Sequence, residues 1–309
     1  MTQGVLEGAA AGSAIDRPAE AHAVAVVIPA FNEEKGIGAV LDGLKEELAR
    51  TSWPFEIIVV DDGSTDATAR IAGERGARVI AHGANRGYGA ALKSGIRAAR
   101  SPYVMIIDAD GTYPSDAVPR LLHAAPDHDM VVGARIGKSV AVPLVRRPAR
   151  WFLRRLASYL AETEIPDLNS GLRIFRRDRA IQFFPILPSG FSFTTSITLA
   201  LLCNDGEVAY LPIDYARREG RSKIRPLRDT LNFLILILRA ILFFNPLKVF
   251  VPASLVILAG FAVSLYWDVF VRWDLTEKTL ILLFAGVQIL AVGVLADLIS
   301  KTPRMGRGL

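Results

Sequence analysis

The sequence predicts an α/β domain with a mainly parallel sheet, followed by a hairpin of two membrane-spanning helices. Short apolar runs rich in Val and Ile alternate with longer helical stretches from residue 24 onward, which is the pattern of βαβ units. Residues 249–267 and 279–296 contain no charged residue, and helices of that length cross a bilayer. The 309-residue chain is 51% hydrophobic with a mean hydropathy of +0.32, so it is more apolar than a typical soluble enzyme.

Four apolar runs in the first half are the predicted strands of the sheet. They lie at 24–29, 56–60, 77–82 and 103–108, and the helices between them lie at about 34–50, 66–74 and 88–100. Residues 129–133 and 207–212 add two strands, the second at a sheet edge or with mixed direction. About 200 residues are enough for one α/β domain with a complete core.

Composition divides the chain into five predicted segments. Residues 1–22 are an Ala/Gly-rich tail, predicted to be disordered, without the basic start and apolar core of a signal peptide. The others are an α/β domain (23–228), an amphipathic helix in the membrane interface (229–245), the hairpin (246–300, with spans at about 249–267 and 279–299) and a tail (301–309). Residues 229–245 are short and contain Arg239, which favours an interfacial helix over a third span.

Charge predicts the orientation of the hairpin. The net charge is +5, and basic residues lie on both flanks: Arg217, Arg218, Arg221, Lys223, Arg225, Arg228 and Lys248 before it, Lys301, Arg304 and Arg307 after it. By the positive-inside rule the α/β domain and both termini lie on the cytoplasmic face, as in a bacterial inner membrane. The single Cys203 excludes an internal disulfide, which agrees with a reducing compartment. No nucleic-acid partner is expected, and a homo-oligomer stays open because two-span hairpins often need partners to cover their faces.

Each predicted strand of the first half ends in a polar loop, at 29–34, 61–66, 85–89 and 108–110. Singly, these residues suit helix caps and turns, but the carboxyl ends of parallel strands meet at one sheet edge, where ligands bind. Asp108 and Asp110 follow a buried strand, so they suit a hard divalent cation whose other ligands are phosphate oxygens. Asn85-Arg-Gly-Tyr-Gly89 lacks the G-x-G-x-x-G spacing of a dinucleotide-binding loop.

Several motifs together resemble glycosyltransferase family 2. They are Pro29-Ala-Phe-Asn-Glu33, Val59-Val-Asp-Asp-Gly-Ser-Thr-Asp66, Asn85-Arg-Gly-Tyr-Gly89 and Asp108-Ala-Asp-Gly-Thr-Tyr-Pro114. A narrower resemblance, to the dolichyl-phosphate mannose synthase-like polyisoprenyl-phosphate glycosyltransferases, rests on the membrane hairpin and on Asn169-Ser-Gly-Leu-Arg-Ile-Phe-Arg176, Gly190-Phe-Ser-Phe-Thr-Thr195 and Arg218-Glu-Gly-Arg-Ser-Lys223. The resemblance runs from about residue 24 to the end of the chain and implies a GT-A fold.

The resemblance implies a donor site and a metal site at the polar sheet edge. Asp108, Asp110 and Thr112 are the implied ligands of Mg²⁺ or Mn²⁺ on the donor diphosphate, and the implied catalytic residues are Asp108, Asp110 and Arg135. Thr112 stands where these synthases commonly have Gln, so water is the alternative ligand there. The implied donor-binding residues are Pro29, Phe31, Asn32, Glu33, Asp61, Asp62, Asn85, Gly87, Lys93, Asp108, Ala109, Arg218 and Lys223.

The chemistry of the implied acceptor explains the lack of an evident general base. Residues 193–196, where a base is sought, contain no acid. A polyisoprenyl phosphate has a second pKa of about 6, so it needs positive charge rather than deprotonation. Arginines and aromatic residues crowd the window 146–155, which suits anionic headgroups or a solvated charged face. The implied acceptor-phosphate residues are Arg135, Arg147, Arg150, Ser170 and Arg173, and Arg173 has the alternative of pairing with Asp167.

The predicted function is inverting transfer of a sugar from a nucleotide-diphosphate sugar to a polyisoprenyl phosphate. UDP-glucose and GDP-mannose are the leading donors, ahead of UDP-linked uronic or amino sugars. One alternative is a non-catalytic, membrane-anchored nucleotide-sugar-binding or scaffold protein, against which the Asp108 and Asp110 pair argues. The other is a processive polysaccharide synthase, which carries more spans and a Gln-x-x-Arg-Trp element that is absent from this sequence.

Overall fold

The computed structural model describes residues 22–136, 155, 158–159, 162–190, 192–215 and 246–301. The chain divides into two compact units, Met1–Phe233 and Leu234–Leu309, which are described separately below. The predicted N-terminal tail, interfacial helix and most of the C-terminal tail lie outside the described residues, so these three assignments stay predictions.

Within the described residues, seven strands form one sheet. They are β1 (Val24–Ala30), β2 (Phe55–Asp61), β3 (Arg78–Ala81), β4 (Tyr103–Ile106), β5 (Met130–Ala134), β6 (Arg173–Arg176) and β7 (Val208–Pro212). Their order across the sheet is β3-β2-β1-β4-β6-β5-β7. All neighbours are parallel except β6, which is antiparallel to both β4 and β5. The prediction of a mainly parallel sheet with flanking helices is confirmed.

Helices cover both faces of the sheet. In the first unit they are α1 (Ile37–Ala49), α2 (Thr68–Glu74), α3 (Tyr88–Ala98), α4 (Val118–Ala124), α5 (Arg177–Gln182) and α6 (Phe193–Leu202). Alternate residues of β1 enter two separate cores, since Val26 packs in the cluster with Leu41 of α1 and Val27 in the cluster with Leu92 of α3. A strand with helices on both faces is apolar throughout, and every residue of β1 is buried.

The strand order sets the position of the functional edge. Chain direction across the sheet reverses between β1 and β4, and ligands of open α/β sheets bind outside the carboxyl ends of the strands at such a point. Because β6 is antiparallel, its first residue, Arg173, pairs with Ile106 near the end of β4 and with Val132 near the end of β5. The loop before β6 therefore reaches the edge that the loops after β1 and β4 occupy.

The structure also differs from the predicted strands in one place. No strand is predicted within the motif at residues 169–176, but Arg173–Arg176 form β6. This strand has an arginine at each end and only two apolar residues, Ile174 and Phe175, between them. An apolar run of two residues is too short to indicate a strand. The strand predicted at 207–212 is β7, at the edge of the sheet and parallel to β5.

The second unit is a hairpin of α7 (Leu247–Trp267) and α8 (Glu277–Lys301). The hairpin has two candidate membrane spans. The first, Leu247–Arg272, has a mean hydropathy of 2.2 in its most apolar window, of which 11% is buried; the second, Glu277–Ile299, has a mean hydropathy of 2.4, with 17% buried. A core helix of a soluble protein is mostly buried, so this exposure favours membrane helices. Close contacts join the pair, since Ser254 Oγ donates to the Gly286 carbonyl at 2.9 Å and a Cβ on Gly293 would meet Phe250 at 2.4 Å.

Candidate active site

The loops after β1 and β2 interlock at the functional edge. The Asn32 N–H donates to Ser64 Oγ at 2.9 Å, and the Thr65 N–H donates to Asn32 Oδ1 at 2.8 Å. The Glu33 N–H donates to Thr68 Oγ1 at 2.9 Å, at the start of α2. Asn32 has a φ of 57°, a left-handed conformation that Asn tolerates better than most residues. This interlock fixes the backbone that carries two of the predicted donor-binding side chains.

Asp62 is the centre of a buried hydrogen-bond network. Its Oδ1 lies 2.6 Å from His82 Nδ1, and His82 Nε2 lies 2.9 Å from Ser94 Oγ. Asp62 also accepts hydrogen bonds from the Arg86 N–H at 3.0 Å and from the Gly87 N–H at 2.8 Å. The residue is only 3% exposed, and its hydrogen bonds hold the loop after β3 in place. Direct contact of Asp62 with a donor stays a prediction.

The start of α3 packs against the turn before α6. A Cβ on Gly89 would lie 2.4 Å from the Pro188 carbonyl oxygen, and one on Gly87, which has a φ of 98°, would lie 2.7 Å from that of Ser189. Lys93 Nζ donates to the Leu187 carbonyl, and burial, followed by the charge of a nearby arginine, lowers the pKa of Lys93. Lys93 thus has a partner within the protein, and its predicted contact with the donor stays untested.

The remaining predicted donor residues differ in exposure. Pro29 in β1, Asp61 at the end of β2 and Ala109 after β4 are buried, Phe31 is half-buried, and Asn85 is exposed. Asp61 Oδ1 accepts a hydrogen bond from the Ser64 N–H at 3.1 Å. Arg218 and Lys223 lie outside the described residues, as do Arg147 and Arg150 of the predicted acceptor site.

Asp108 and Asp110 lie just beyond β4, where each is held by a neighbouring hydroxyl. Tyr88 Oη donates to Asp108 Oδ1 at 2.9 Å. Thr112 donates to Asp110 Oδ1 through its Oγ1 at 2.6 Å and through its N–H at 3.2 Å. Both aspartates are partly exposed, whereas Thr112 is buried. The Thr112 hydroxyl therefore orients Asp110, and its predicted role as a metal ligand stays a prediction.

The chemistry of these groups fits a hard divalent cation. Asp108 and Asp110 are both partly exposed, and carboxylates are ligands that Mg²⁺ and Mn²⁺ prefer. Among the described residues, no group of three or more His, Cys, Asp or Glu side chains is arranged to hold a metal. Mg²⁺ beside phosphates is usually held by one or two carboxylates, with the remaining positions taken by phosphate oxygens and water.

Arg135, at the end of β5, is bound to Asp167 by two side-chain hydrogen bonds. Nε donates to Asp167 Oδ2 at 2.7 Å and Nη2 to Oδ1 at 2.9 Å, and the guanidinium lies 5.2 Å from the centre of the Tyr215 ring. Burial opposes ionisation of both groups, but the ion pair outweighs it, so the pKa of Asp167 is lowered and the pKa of Arg135 is raised. Arg135 therefore stays charged at the sheet edge, as its predicted contact with a phosphate requires.

Ser170 and Arg173, which were predicted to bind the acceptor phosphate, make their hydrogen bonds inside the protein. Both are fully buried. Ser170 Oγ donates to the Gly133 carbonyl at 2.5 Å, and Arg173 donates to the carbonyls of Ser170 and Thr194 at 2.5 and 2.9 Å. These side chains therefore hold the loop before β6, and their predicted contact with an acceptor phosphate stays a prediction. The alternative partner of Arg173, Asp167, is bound by Arg135 instead.

Four residues at the site were missed by the sequence analysis as functional candidates. They are Tyr88, Tyr113, His82 and Gly171. Tyr88 and Tyr113 stand inside motifs that follow strand ends, so their hydroxyl groups were a usable signal. His82 and Gly171 had no such signal, because their roles depend on partners far away in the chain.

Comparison with known proteins gives the same assignment. Residues 25–184 match the model for glycosyl transferase family 2, and residues 245–302 match the model described as the GtrB C-terminal hairpin. A dolichyl-phosphate hexose transferase from Haloferax volcanii is 34% identical over 66% of this chain and 87% of its own. An undecaprenyl-phosphate mannosyltransferase from Micrococcus luteus is 29% identical over 65% of this chain and 87% of its own.

The solved structures agree on the fold. Glucosyl-3-phosphoglycerate synthase from Mycobacterium tuberculosis, crystallised with Mn²⁺ and UDP-glucose, superposes with a TM-score of 0.56 at 25% identity, over 72% of this chain and 80% of its own. The sheet, the loops at its carboxyl edge and the matched residues together show that this chain belongs to glycosyl transferase family 2 and carries a GtrB-type C-terminal hairpin.

Proposed function

We propose that this glycosyltransferase moves a sugar from a nucleoside-diphosphate sugar to a polyprenyl phosphate, with inversion at the anomeric carbon. The observation that carries the proposal is the pair of Asp108 and Asp110 just beyond β4, where the chain direction across the sheet reverses. The same chain also has an apolar hairpin. Relatives named for transfer to dolichyl and undecaprenyl phosphates support the acceptor class.

A divalent metal, Mg²⁺ or Mn²⁺, is part of the proposal. Asp108 and Asp110 would hold it, and when bound it would neutralise the charge that develops on the departing diphosphate. Tyr88 and Thr112 fix one oxygen of each carboxylate, so the two ligands are oriented before the metal arrives. The Mn²⁺ in the solved relative supports this assignment.

In the transfer step an acceptor phosphate oxygen forms a bond to the anomeric carbon while the bond from that carbon to the diphosphate breaks. The nucleoside diphosphate leaves with the bonding electrons. The acceptor is already ionised, so this chain supplies positive charge instead of a base. Arg135 serves that purpose, because its link to Asp167 uses one edge of the guanidinium and five N–H donors are available in the whole group.

The membrane arrangement follows from the hairpin. Helices α7 and α8 would span the bilayer, so that the α/β domain and both chain ends lie on the cytoplasmic face, as the basic flanking residues favour. A lipid-linked acceptor stays in the bilayer, so an enzyme anchored there meets it by diffusion in two dimensions.

The test is transfer by the purified full-length protein in detergent or vesicles. It would be given polyprenyl phosphate, Mg²⁺ or Mn²⁺, and a panel of radiolabelled UDP-glucose, GDP-mannose, UDP-uronic and UDP-amino sugars. We expect label in the lipid fraction with one donor, and a loss of more than about a hundredfold in Asp110→Asn, since a metal contributes several kcal/mol. Metal-dependent binding of a nucleotide sugar without any transfer would favour the non-catalytic alternative.

A further inference from the structure

Asp108 is held on one side by a residue that the donor assignment does not use. Tyr88, the first residue of α3, donates its hydroxyl hydrogen to Asp108 Oδ1 at 2.9 Å. One oxygen of the Asp108 carboxylate is therefore fixed by the hydroxyl of α3.

The other side of Asp108 is in contact with the loop before β6. A Cβ on Gly171 would lie 2.3 Å from Asp108 Oδ2 and 2.7 Å from its Cγ, so the backbone of this glycine lies directly against the carboxylate. The Gly171 N–H donates to Tyr113 Oη at 2.6 Å, and the adjoining Ser170 carbonyl accepts from Arg173. Gly171 therefore has little room to move away from Asp108.

We propose that Tyr88 and Gly171 are positioning residues that fix the Asp108 carboxylate from both sides, so that the loop 169–172 sets the geometry of the metal site. This inference rests on the proposed function, in which Asp108 binds the metal. The loop belongs to the motif that the sequence analysis linked to the acceptor. A displacement of that loop therefore changes metal binding on the donor side.

The physical basis is loss of rotational freedom at a ligand. A partly exposed aspartate without fixed partners samples several rotamers and must be ordered when a metal binds. Removing partners that orient a metal ligand typically lowers metal affinity or activity about 10 to 100-fold. Tyr88→Phe removes the hydroxyl and keeps the ring, and Gly171→Ala adds a methyl group where the carboxylate now lies.

The experiment measures Mn²⁺ binding directly, by electron paramagnetic resonance titration of the full-length protein with and without UDP. We expect Tyr88→Phe to raise the Kd for Mn²⁺ about tenfold and Gly171→Ala to raise it further. Tyr159→Phe is the matched control, because that ring is 65% exposed. Gly190→Ala is the second control, because a Cβ there would meet nothing within 4 Å. Circular dichroism and thermal melting report whether each variant is folded.

The outcomes separate this inference from the proposed function. If the wild-type protein binds no Mn²⁺ yet transfers sugar without metal, the metal assignment fails and the inference fails with it. If the wild type binds Mn²⁺ and Tyr88→Phe binds it equally well, only the positioning role is overturned, even when the variant melts at a lower temperature. If Gly171→Ala does not fold, Tyr88→Phe decides alone.

Discussion

Two loops of the candidate site, named here for the predicted roles of their residues, are stabilised by side chains of opposite charge: the donor half is the loop after β3 (residues 82–87) and the acceptor half is the loop before β6 (residues 169–172). On the donor half the carboxylate of Asp62 accepts from the backbone N–H groups of Arg86 and Gly87. On the acceptor half the guanidinium of Arg173 donates to backbone carbonyls, including that of Ser170. Buried loop backbone needs partners for both kinds of group. A charged residue in a motif can therefore serve the backbone of its own loop as well as a ligand.

The largest expected effect comes from removing the cation of the acceptor half. Arg173→Met removes both N–H donors to the buried Ser170 carbonyl and one donor each to the Thr194 carbonyl and the Thr198 hydroxyl, and a buried polar group left without a partner costs about 1–3 kcal/mol. We expect the free energy of unfolding to fall by about 3 kcal/mol, measured by denaturant unfolding in detergent. Arg176→Met, at an exposed position of the same strand, is the control and should change little. Equal stability of the two variants would contradict the structural role of Arg173.

The ion pair between Asp167 and Arg135 makes the stability of the folded protein depend on pH. Asp167→Asn keeps an acceptor but leaves Arg135 without its counter-charge, which we expect to cost about 2 kcal/mol at neutral pH. The folded-state pKa of Asp167 lies below the ordinary value of 3.8. The stability that the ion pair contributes is therefore complete above pH 3.8 and is lost as the pH falls through the folded-state pKa of Asp167.

The stability difference between wild type and Asp167→Asn should accordingly narrow in acid. Melting temperatures measured from neutral pH down to below pH 3.8 would test this, with the exposed Asp214→Asn as control. A difference that stays constant over that range would show that the charge of Asp167 is not what stabilises the fold.

The donor half is tested through His82. His82→Ala removes the contacts to Asp62 and Ser94, and we expect a loss of about 1–2 kcal/mol in the free energy of unfolding. Because Asp62 also holds the loop after β3, nucleotide binding measured by calorimetry should weaken as well. The exposed His123→Ala is the control. Weaker nucleotide binding without loss of stability would point instead to direct contact of His82 with the donor.

The smallest expected effect is at Thr112. If its hydroxyl only orients Asp110, Thr112→Val removes one hydrogen bond, about 1 kcal/mol, and the Kd for Mn²⁺ rises roughly fivefold. If Thr112 is instead a ligand, the loss should approach that of Asp110→Asn. Mn²⁺ titration of both variants side by side distinguishes the two roles.

The sequence was informative about where the site lies. Apolar runs predicted all four strands of the first half, and the polar loops that follow them do lie at one edge of the sheet. This succeeded because strand patterning and turn chemistry are local properties of the chain. The spans of the hairpin were recognisable for the same reason, since length and apolarity alone mark them.

Contacts between distant residues were not predictable in this way. Tyr113 and Gly171 are 58 positions apart, and His82 and Asp62 are 20 apart, so no local pattern joins them. Arg173 was assigned to a phosphate from its motif, and the structure buries it completely, which is rare for arginine. A charged residue in a motif indicates that an interaction is made there, but the fold decides whether its partner is a ligand or another part of the protein.

The antiparallel strand β6 has a consequence for how such a site can diversify. The other strands at this edge deliver loops that follow them, whereas β6 delivers the loop that precedes it, at Gly171 and Leu172 beside Gly133. The connection from β5 to β6 is therefore a place where length can change without altering the strand order. Insertions or exchanges there would change the predicted acceptor site while the order of the strands stays the same.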